Sequence, residues 1–497
     1  MTFARSILPV AAAAALLLAG CSVAPTYQKP ATNTVPAFKE AIPAAETSQW
    51  KQAEPGDAAA RGRWWTVFGD ERLDELQLRA QAANPTLQAG FARLSQSRAA
   101  LRSSEADRSP RVDGGVGLTR SRPSPASLGL PADAHTQPGT LHRAQATVSY
   151  EVDLFGRVAS SVAAAQADAE QAHALLQSLQ LAIQADVAQH YFAIRSLDAE
   201  TALLDDTVRL RESALQLVDR RFRAGETSEL DVARARTELS VTRGEAIGLG
   251  KRRAELEHAL AVLLGQAPAE LALARAPLQF QPIHVPAGVP SALLERRPDV
   301  AAAERAMAAA NARIGVARAA YYPRLTLTGL LGLESASSGD LFKSSSRTWA
   351  LGPLAGTMLT MPIFDGGRNR ANEALALASF DEAAASYRER VLAAFREVED
   401  NLSGLRILAE QAREQAQSVA AAQRSAQLSA TRYRNGFVNY LEVIDAERTV
   451  LATQRAATQV ERERVLATVG LIRALGGGWD TPVRVAQAAE PVASPAP

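Results

Sequence analysis

The chain has 497 residues, enough for three domains of ordinary size or for one elongated architecture. Its 54 Lys and Arg balance its 53 Asp and Glu, so the net charge of +1 gives no overall attraction to nucleic acid, and we expect no nucleic-acid partner. Alanine-rich stretches dotted with charges cover most of the length, and aromatic residues make up only 5%, which favours long helices packed closely side by side.

Residues 1–20 have the pattern of a lipoprotein signal peptide. Arg5 precedes an apolar run, and small residues stand directly before Cys21. Cys21 is the only cysteine of the chain, so it has no partner for an internal disulfide. We predict that the signal peptide is removed and that Cys21 carries lipid such as palmitate, which anchors residues 21–63. The alternative is an ordinary signal peptide followed by a chance cysteine.

The chain contains an internal repeat. The run Arg221-Phe222-Arg223-Ala224-Gly225 recurs as Arg432-Tyr433-Arg434-Asn435-Gly436, at an offset of 211 residues. Ser109-Pro110-Arg111-Val112 recurs as Tyr322-Pro323-Arg324-Leu325, at an offset of 213 residues. Landmarks that keep their order and spacing over such a length indicate a tandem duplication.

The duplication suggests the domain limits. We expect a first repeat over residues 64–265 and a second over residues 298–478. Residues 266–297 are rich in proline and read as a connector, and the Pro- and Ala-rich residues 479–497 read as a disordered tail.

Each half is predicted to hold a long helical hairpin. Residues 157–223 contain no proline and no glycine, which predicts one helix of about 100 Å at ~1.5 Å per residue. A glycine turn and a second helix over residues 227–264 follow. The second half repeats this pattern with a helix over 368–434, a turn at Asn435-Gly436 and a helix that ends near 475.

Between the helices, apolar and polar residues alternate with a period of two, as in β-strands. Leu325, Leu327, Leu331 and Leu333 alternate with polar positions, and similar alternation occurs near 112–119 and 146–154 and, less cleanly, near 347–363. We therefore expect one strand hairpin in each half, around the loops 121–143 and 335–346. Strands of about 10 residues with one apolar face are what an outer-membrane barrel requires, although a soluble sandwich would show the same alternation.

Four strands cannot close a membrane barrel, because the smallest barrels have about eight strands and an open edge is not stable in lipid. Beyond Cys21 no apolar run approaches the roughly 18 residues of a spanning helix. Three copies would give twelve strands around a lumen, with six helical hairpins to continue the tube, whereas two copies would give a filled eight-stranded interior. We expect an α+β membrane protein that forms a homotrimer.

Five motifs occur in order along the chain. They are Tyr150-Glu151-Val152-Asp153-Leu154-Phe155-Gly156-Arg157, Leu294-Glu295-Arg296-Arg297-Pro298-Asp299-Val300, Ile314-Gly315-Val316-Ala317-Arg318-Ala319-Ala320-Tyr321-Tyr322-Pro323, Pro362-Ile363-Phe364-Asp365-Gly366-Gly367 and Tyr440-Leu441-Glu442-Val443-Ile444-Asp445-Ala446. With these motifs the chain resembles, from about Trp64 to Gly478, the TolC/OprM-like outer-membrane factors, in particular their lipoprotein (NodT/OprM) branch. The resemblance implies a twelve-stranded barrel in the outer membrane and a twelve-helix tube through the periplasm. It also implies a passive exit duct whose closed periplasmic end opens when a periplasmic adaptor (membrane fusion protein) and an inner-membrane RND-type transporter dock.

Acidic residues near the two turns are candidates for a gate. Asp231, Glu442 and Asp445 lie six to nine residues beyond a turn glycine, so a trimer would present three copies of each at one level. The resemblance implies that Asp445 is a constriction acid and Leu441 the apolar residue beside it, with Glu442 in place of the usual aspartate. It also implies a bond between Tyr433 and Asp231 across neighbouring hairpins. The alternative, for Asp231 above all, is a polar residue that caps a helix.

No catalytic pattern competes with this interpretation. The six histidines have no ligand spacing, and the metalloprotease, P-loop and nucleophile-elbow motifs are missing. We expect no enzyme activity, no cofactor and no metal site. Two rival classes are a periplasmic adaptor or coiled-coil scaffold, which would carry one hairpin between small β domains, and an enzyme anchored to the outer membrane.

Overall fold

The computed structural model describes residues 23–29, 38–40, 62–279, 283, 296–352 and 359–477. The predicted signal peptide, Cys21, most of the segment 21–63, most of residues 280–295 and the tail from 478 lie outside the described residues. The chain forms two compact units, and each contains parts of both halves. Unit 1 comprises Met1–Ala31, Arg93–His173 and Ala302–Arg388, and unit 2 comprises Thr32–Ala92, Ala174–Ala301 and Glu389–Pro497.

Seven α-helices occur in the described residues, and the four long ones lie where the sequence predicts them. Their lengths repeat: α2 and α5 have 22 residues each, α3 and α6 have 67, and α4 and α7 have 35. The equal lengths confirm the tandem duplication. None of these helices combines the length and the apolar character needed to cross a membrane. Their bounds are α1 Glu71–Ala83, α2 Pro85–Ala106, α3 Arg157–Arg223, α4 Glu229–Leu263, α5 Pro298–Ala319, α6 Arg368–Arg434 and α7 Tyr440–Ala474.

The strands form one antiparallel sheet in unit 1, with the order β1-β2-β3-β4. The bounds are β1 Arg111–Ser121, β2 Gly139–Val152, β3 Arg324–Ser335, β4 Arg347–Leu351 and β5 Leu359–Thr360. The predicted strand near 347–363 exists as the two pieces β4 and β5, which both pair with β3. Gly329 is opposite Leu351 but Arg324 is opposite Thr360, so the register changes by four residues between the pieces. This change explains why the alternation there is uneven.

One face of this sheet is apolar and exposed. Pairing places Gly114, Ala146, Leu331 and Trp349 in one row across the four strands. Leu331 is 68% exposed and Trp349 is 71% exposed. A soluble sandwich would cover such a row with a second sheet, and in unit 1 the apolar side chains of this row stay open.

The residues that follow Cys21 in unit 1 dock on α5. The Tyr27 hydroxyl donates to Glu304 Oε1 at 2.9 Å, and Asn311 Nδ2 donates to the carbonyl oxygen of Pro25 at 2.9 Å. Gly315 lets the backbone approach, because a Cβ at this position would lie 2.6 Å from the Cβ of Ala24. The segment 23–29 is therefore part of the folded unit.

A buried ionic network in unit 2 fastens the first part of the predicted connector. Arg253 Nε donates to Asp198 Oδ1 at 2.7 Å, and Arg253 Nη2 donates to the carbonyl oxygen of Leu273 at 2.6 Å. The backbone N–H of Ala276 donates to Asp198 Oδ2 at 3.1 Å. The Asp198 side chain is only 1% exposed, so its charge depends on these partners.

We predict that Asp198→Ala destabilises unit 2 by about 2–3 kcal/mol, because it leaves the buried Arg253 with Glu257 alone as its acid and leaves the N–H of Ala276 without its acceptor. Thermal unfolding of the protein in detergent measures the change, and limited proteolysis within residues 271–276 detects release of the connector. Asp206→Ala is the matched control, because Asp206 pairs with Arg209 at an exposed position of the same helix. Equal thermal midpoints for the two variants would show that the network contributes little.

Candidate functional site

The two helical turns have the same backbone geometry. The N–H of Gly225 donates to Phe222 O and the N–H of Glu226 to Arg221 O, both at 2.9 Å. The corresponding bonds of the second turn start at Gly436 and Phe437 and measure 3.0 and 2.9 Å. Both glycines have φ +77°, a conformation that favours glycine after a helix end. Each hairpin therefore ends in the same tight cap, as the repeated Gly predicts.

Behind these turns, the two hairpins share an apolar cluster in unit 2, which we call the tip core. Its buried members come from α3 and α4 and from the end of α6 and the start of α7. The cluster thus packs the tip of the first half directly on the tip of the second. Its buried members are Val218, Val232, Ala235, Tyr433, Tyr440, Val443 and Ile444.

Asp231 is bonded within its own helix end. Its Oδ2 accepts from Thr227 Oγ1 at 2.7 Å and from Ser228 Oγ at 3.2 Å, and its Oδ1 lies 3.5 Å from Arg234 Nη1. The side chain is 20% exposed. These are contacts of a residue in the first turn of a helix, where a carboxylate is favourable.

Tyr433 lies in the tip core and is 8% exposed. Its ring centroid is 5.4 Å from that of Tyr440, and Arg221 Cζ sits 4.9 Å from the Tyr433 centroid, which is a cation–π distance. The Tyr433 hydroxyl makes no hydrogen bond within the described residues. The structure of the single chain therefore does not join Tyr433 to Asp231.

Leu441, Glu442 and Asp445 share the outer face of α7. Leu441 is 38% exposed and the Asp445 side chain is 63% exposed, with Arg448 Nη1 at 3.8 Å from Asp445 Oδ1. Glu442 is exposed too, and its backbone N–H donates to the N-cap Asn439 at 3.2 Å. The structure thus brings three of the five candidate gate residues onto one open face.

A charged cluster where α7 meets α3 and α4 is not predicted by the sequence. Glu238 of α4 binds Arg211 of α3, with Arg211 Nη1 3.1 Å from Glu238 Oε2, and it also accepts from Arg448 of α7. Glu447 of α7 faces the same cluster. Its burial raises its pKa, and Arg211 opposes that rise while Glu238 adds to it.

One signal in the sequence points to part of this cluster. Arg448 stands three residues after Asp445, the spacing of a helical ion pair. The pairing of Arg211 with Glu238 spans two helices, and their relative rotation is not encoded in the spacing. Within the residues that the structure describes, no group of three or more His, Cys, Asp or Glu could hold a metal ion.

The comparisons with known proteins agree with this architecture. The model of the family described as "Outer membrane efflux protein" matches residues 77–266 and 289–477. The chain is 35% identical to the outer membrane protein OprJ of Pseudomonas aeruginosa over 470 residues, which are 94% of this chain and 95% of that protein. It is 31% identical to the cation efflux system protein CusC of Escherichia coli over 472 residues, 94% of this chain and 97% of the other.

A solved structure has the same fold. The outer-membrane channel OprN superposes with a TM-score of 0.82 at 31% identity, over 92% of this chain and all of that one. The family model matches each half of the duplication separately and covers more than half of the chain. The resemblance predicted from the sequence motifs is confirmed: the chain belongs to the outer membrane efflux protein family, whose members form the outer-membrane part of efflux systems.

Proposed function

We propose that three copies of this chain form the exit duct of a tripartite efflux system, which conducts drugs or other small molecules passively out of the cell. The observation that carries the proposal is the open sheet of unit 1 with its exposed apolar row. Its outer strands, β1 on one side and β4 with β5 on the other, each have one edge that pairs with no other strand among the described residues. In lipid these edges need partners, and three copies pair them into a twelve-stranded barrel.

The two faces of the sheet suit such a barrel. The row that contains Leu331 and Trp349 would face lipid. The other face carries polar side chains that would face the lumen, such as Thr147 and Thr328, and an ion pair of 3.1 Å between Arg143 and Glu334. This division between an apolar outside and a polar inside is typical of outer-membrane barrels.

The long helices supply the remainder of the duct. Two helical hairpins per chain become twelve helices in a trimer, and α3 and α6, at 67 residues, each extend about 100 Å. We propose that this helical tube lies in the periplasm and meets a periplasmic adaptor and an inner-membrane RND-type transporter, which supplies the energy. We propose no enzyme activity and no cofactor for the chain itself. The similarity to the outer membrane protein OprJ and to the cation efflux system protein CusC supports this class of system.

We propose that the hairpin tips form the gate, with unequal contributions from the candidate residues. Asp445 and Leu441 lie on the open face of α7, where three copies can meet around the axis of a trimer. Glu442 has a comparable position. Asp231 is largely engaged by Thr227, Ser228 and Arg234, so we propose that it contributes least to the charge at the constriction.

The proposed exit-duct function predicts that the protein forms a trimer that conducts ions. Protein extracted from the outer-membrane fraction should migrate as a heat-labile trimer and should conduct ions in a planar bilayer. A periplasmic scaffold or an anchored enzyme would give no conductance. A monomer that conducts, or a trimer that never conducts under any condition, would contradict the proposal.

We further propose that Cys21 carries lipid and anchors residues 21–63. Cys21→Ser should abolish labelling of the protein by a radioactive fatty acid, because no other cysteine is present to accept the acyl group. Ser22→Ala, which leaves the thiol intact, is the matched control and should be labelled normally. Labelling of Cys21→Ser at the level of the control would refute the assignment.

For the gate, Asp445→Ala should change single-channel conductance and weaken block by multivalent cations, because a ring of three carboxylates attracts cations. Glu442→Ala should have a smaller effect and Asp231→Ala the smallest. Tyr433→Phe should act differently: if its hydroxyl bonds to a neighbouring copy, its loss loosens the closed state and increases vancomycin sensitivity of cells. Unchanged conductance and cation block in the triple alanine variant would place the constriction elsewhere.

A further inference from the structure

Within unit 2 the second hairpin packs on the first along a contact that we call the intrachain seam, where α7 meets α3 and α4. Arg455 of α7 donates from Nε to Glu200 Oε1 of α3 at 2.8 Å and from Nη1 to Glu245 Oε2 of α4 at 2.9 Å. Leu451 of α7 joins leucines of α3 and α4 in a buried cluster. One helix of the second hairpin therefore contacts both helices of the first.

The tandem repeat gives this seam an equivalent between copies. The bounds of α6 and α7 lie 211 residues after those of α3 and α4, as Arg157 and Arg368 show, so each position of one hairpin has a counterpart in the other. Three copies place six hairpins around one axis, and first and second hairpins alternate because each chain contributes one of each. If every hairpin packs on the next in the same way, α4 of one copy packs on α6 and α7 of its neighbour.

The face of α4 that this arrangement would use is open in the single chain. The counterparts of Arg455 and Gln459 are Gly244 and Gly248, and Ile247 between them is 77% exposed. A Cβ at either glycine would meet no atom within 4 Å. Glycine is unfavourable inside a helix, and nothing in the described part of the chain uses the space that these two residues leave.

The face that would meet these glycines carries a large apolar side chain. Ser196 of α3 and Gln459 of α7 line one cavity of about 740 Å³ in the intrachain seam. The counterpart of Ser196 is Ile407 of α6, which is 52% exposed. In the seam between copies, Ile407 would therefore lie opposite Gly248, so that a projecting side chain enters a groove between helical turns.

The charges at the edge of the seam are also complementary between copies. Arg252 of α4 and Arg462 of α7 line the same intrachain cavity, where they are two like charges. Their counterparts are Glu463 and Lys251, which are both exposed and carry opposite charges. Lys251 of one copy can therefore pair with Glu463 of the next, an arrangement that favours a second copy of this chain on α4.

We propose that the face of α4 formed by Gly244, Ile247, Gly248 and Lys251 binds a second copy of this chain and receives Ile407 of that copy. The proposal rests on the trimeric duct proposed above, and it names the surface through which the helices of neighbouring copies meet. The two kinds of seam then differ in chemistry. The intrachain seam contains the ion pairs of Arg455, whereas the seam between copies is closed by apolar and small residues with one ion pair at its edge.

Cross-linking in membranes tests this surface in the assembled protein. The double variant Gly248→Cys with Ile407→Cys, treated with a short bis-maleimide, should give covalent dimers and trimers on a denaturing gel. Each single variant should give none, which also controls for Cys21. The matched control is Ser196→Cys with Gln459→Cys, the counterpart pair in the intrachain seam, which should link within one chain and keep the mass of a monomer.

Substitutions on α4 test the packing and the charge pair separately. Gly244→Ala should keep the heat-labile trimer, whereas Gly244→Trp should abolish it, although the single chain has room for both side chains. Lys251→Glu should lower the temperature at which the trimer dissociates, and Glu463→Lys in the same chain should restore it. A role confined to the fold of one chain would not produce this rescue.

The outcomes separate this proposal from the channel function. A conducting trimer in which the intrachain pair links but Gly248→Cys and Ile407→Cys do not would overturn the proposal, leave the channel intact and free the α4 face for another partner. A normal trimer in Gly244→Trp would overturn it too. Failure of Glu463→Lys to rescue Lys251→Glu would overturn the ion pair. An unmodified protein that neither forms trimers nor conducts would overturn the channel function, and this proposal with it.

Discussion

The structure depends above all on the hydrogen-bonding capacity of two strand edges. Each chain carries a sheet whose outer strands present, along one side, backbone N–H and C=O groups that pair with no other strand in the part of the chain that the structure describes. In water these groups bind solvent, but the hydrocarbon of a membrane offers none. Pairing between copies satisfies them, so assembly and membrane insertion become one requirement. Every other feature of the proposed duct, including three-fold rings at the tips, follows from that closure.

The helices could be predicted almost to the residue, for a local reason. Long stretches without Gly or Pro set the bodies of α3 and α6, and Gly225 and Gly436 set their ends, because a left-handed residue ends a helix wherever the chain lies. The strands were predicted by their alternation, which also depends only on neighbours in sequence. The division of the last strand into β4 and β5 was not predicted, because a register change is defined against β3.

The site was predicted less completely than the fold. The three-residue spacing of Glu442 and Asp445 predicts that they share a helix face, and in the structure both lie exposed on α7 together with Leu441. The contacts of Asp231 with Thr227 and Ser228 are also local, and they are those of a polar residue that caps a helix, the alternative role of Asp231. Arg211 and Glu447 were missed because their surroundings come from helices distant in sequence. Which face of each helix turns toward another is a property of the packing and not of any one periodicity.

The two halves have also diverged in a way that the repeat alone does not show. Asp198 and Arg253 form the buried network of the first half, but the positions 211 residues later hold Ala409 and Arg464. In the first half, Asp198 therefore binds the connector through an ionic network, whereas Ala409 in the second half cannot make the same contact. The duplication produced two similar hairpins, and substitutions after it made their side-chain contacts different.

The exposed apolar row of the sheet has a consequence for the life of the chain before assembly. A newly exported copy must cross an aqueous compartment with Leu331 and Trp349 uncovered and with two strand edges open. Such a surface is a template for aggregation, since another copy can add to it in any register. Correct assembly then requires that chaperones bind the chain until it reaches the membrane. It also requires that synthesis is no faster than insertion. Overexpression would therefore favour aggregation of unassembled copies over membrane insertion.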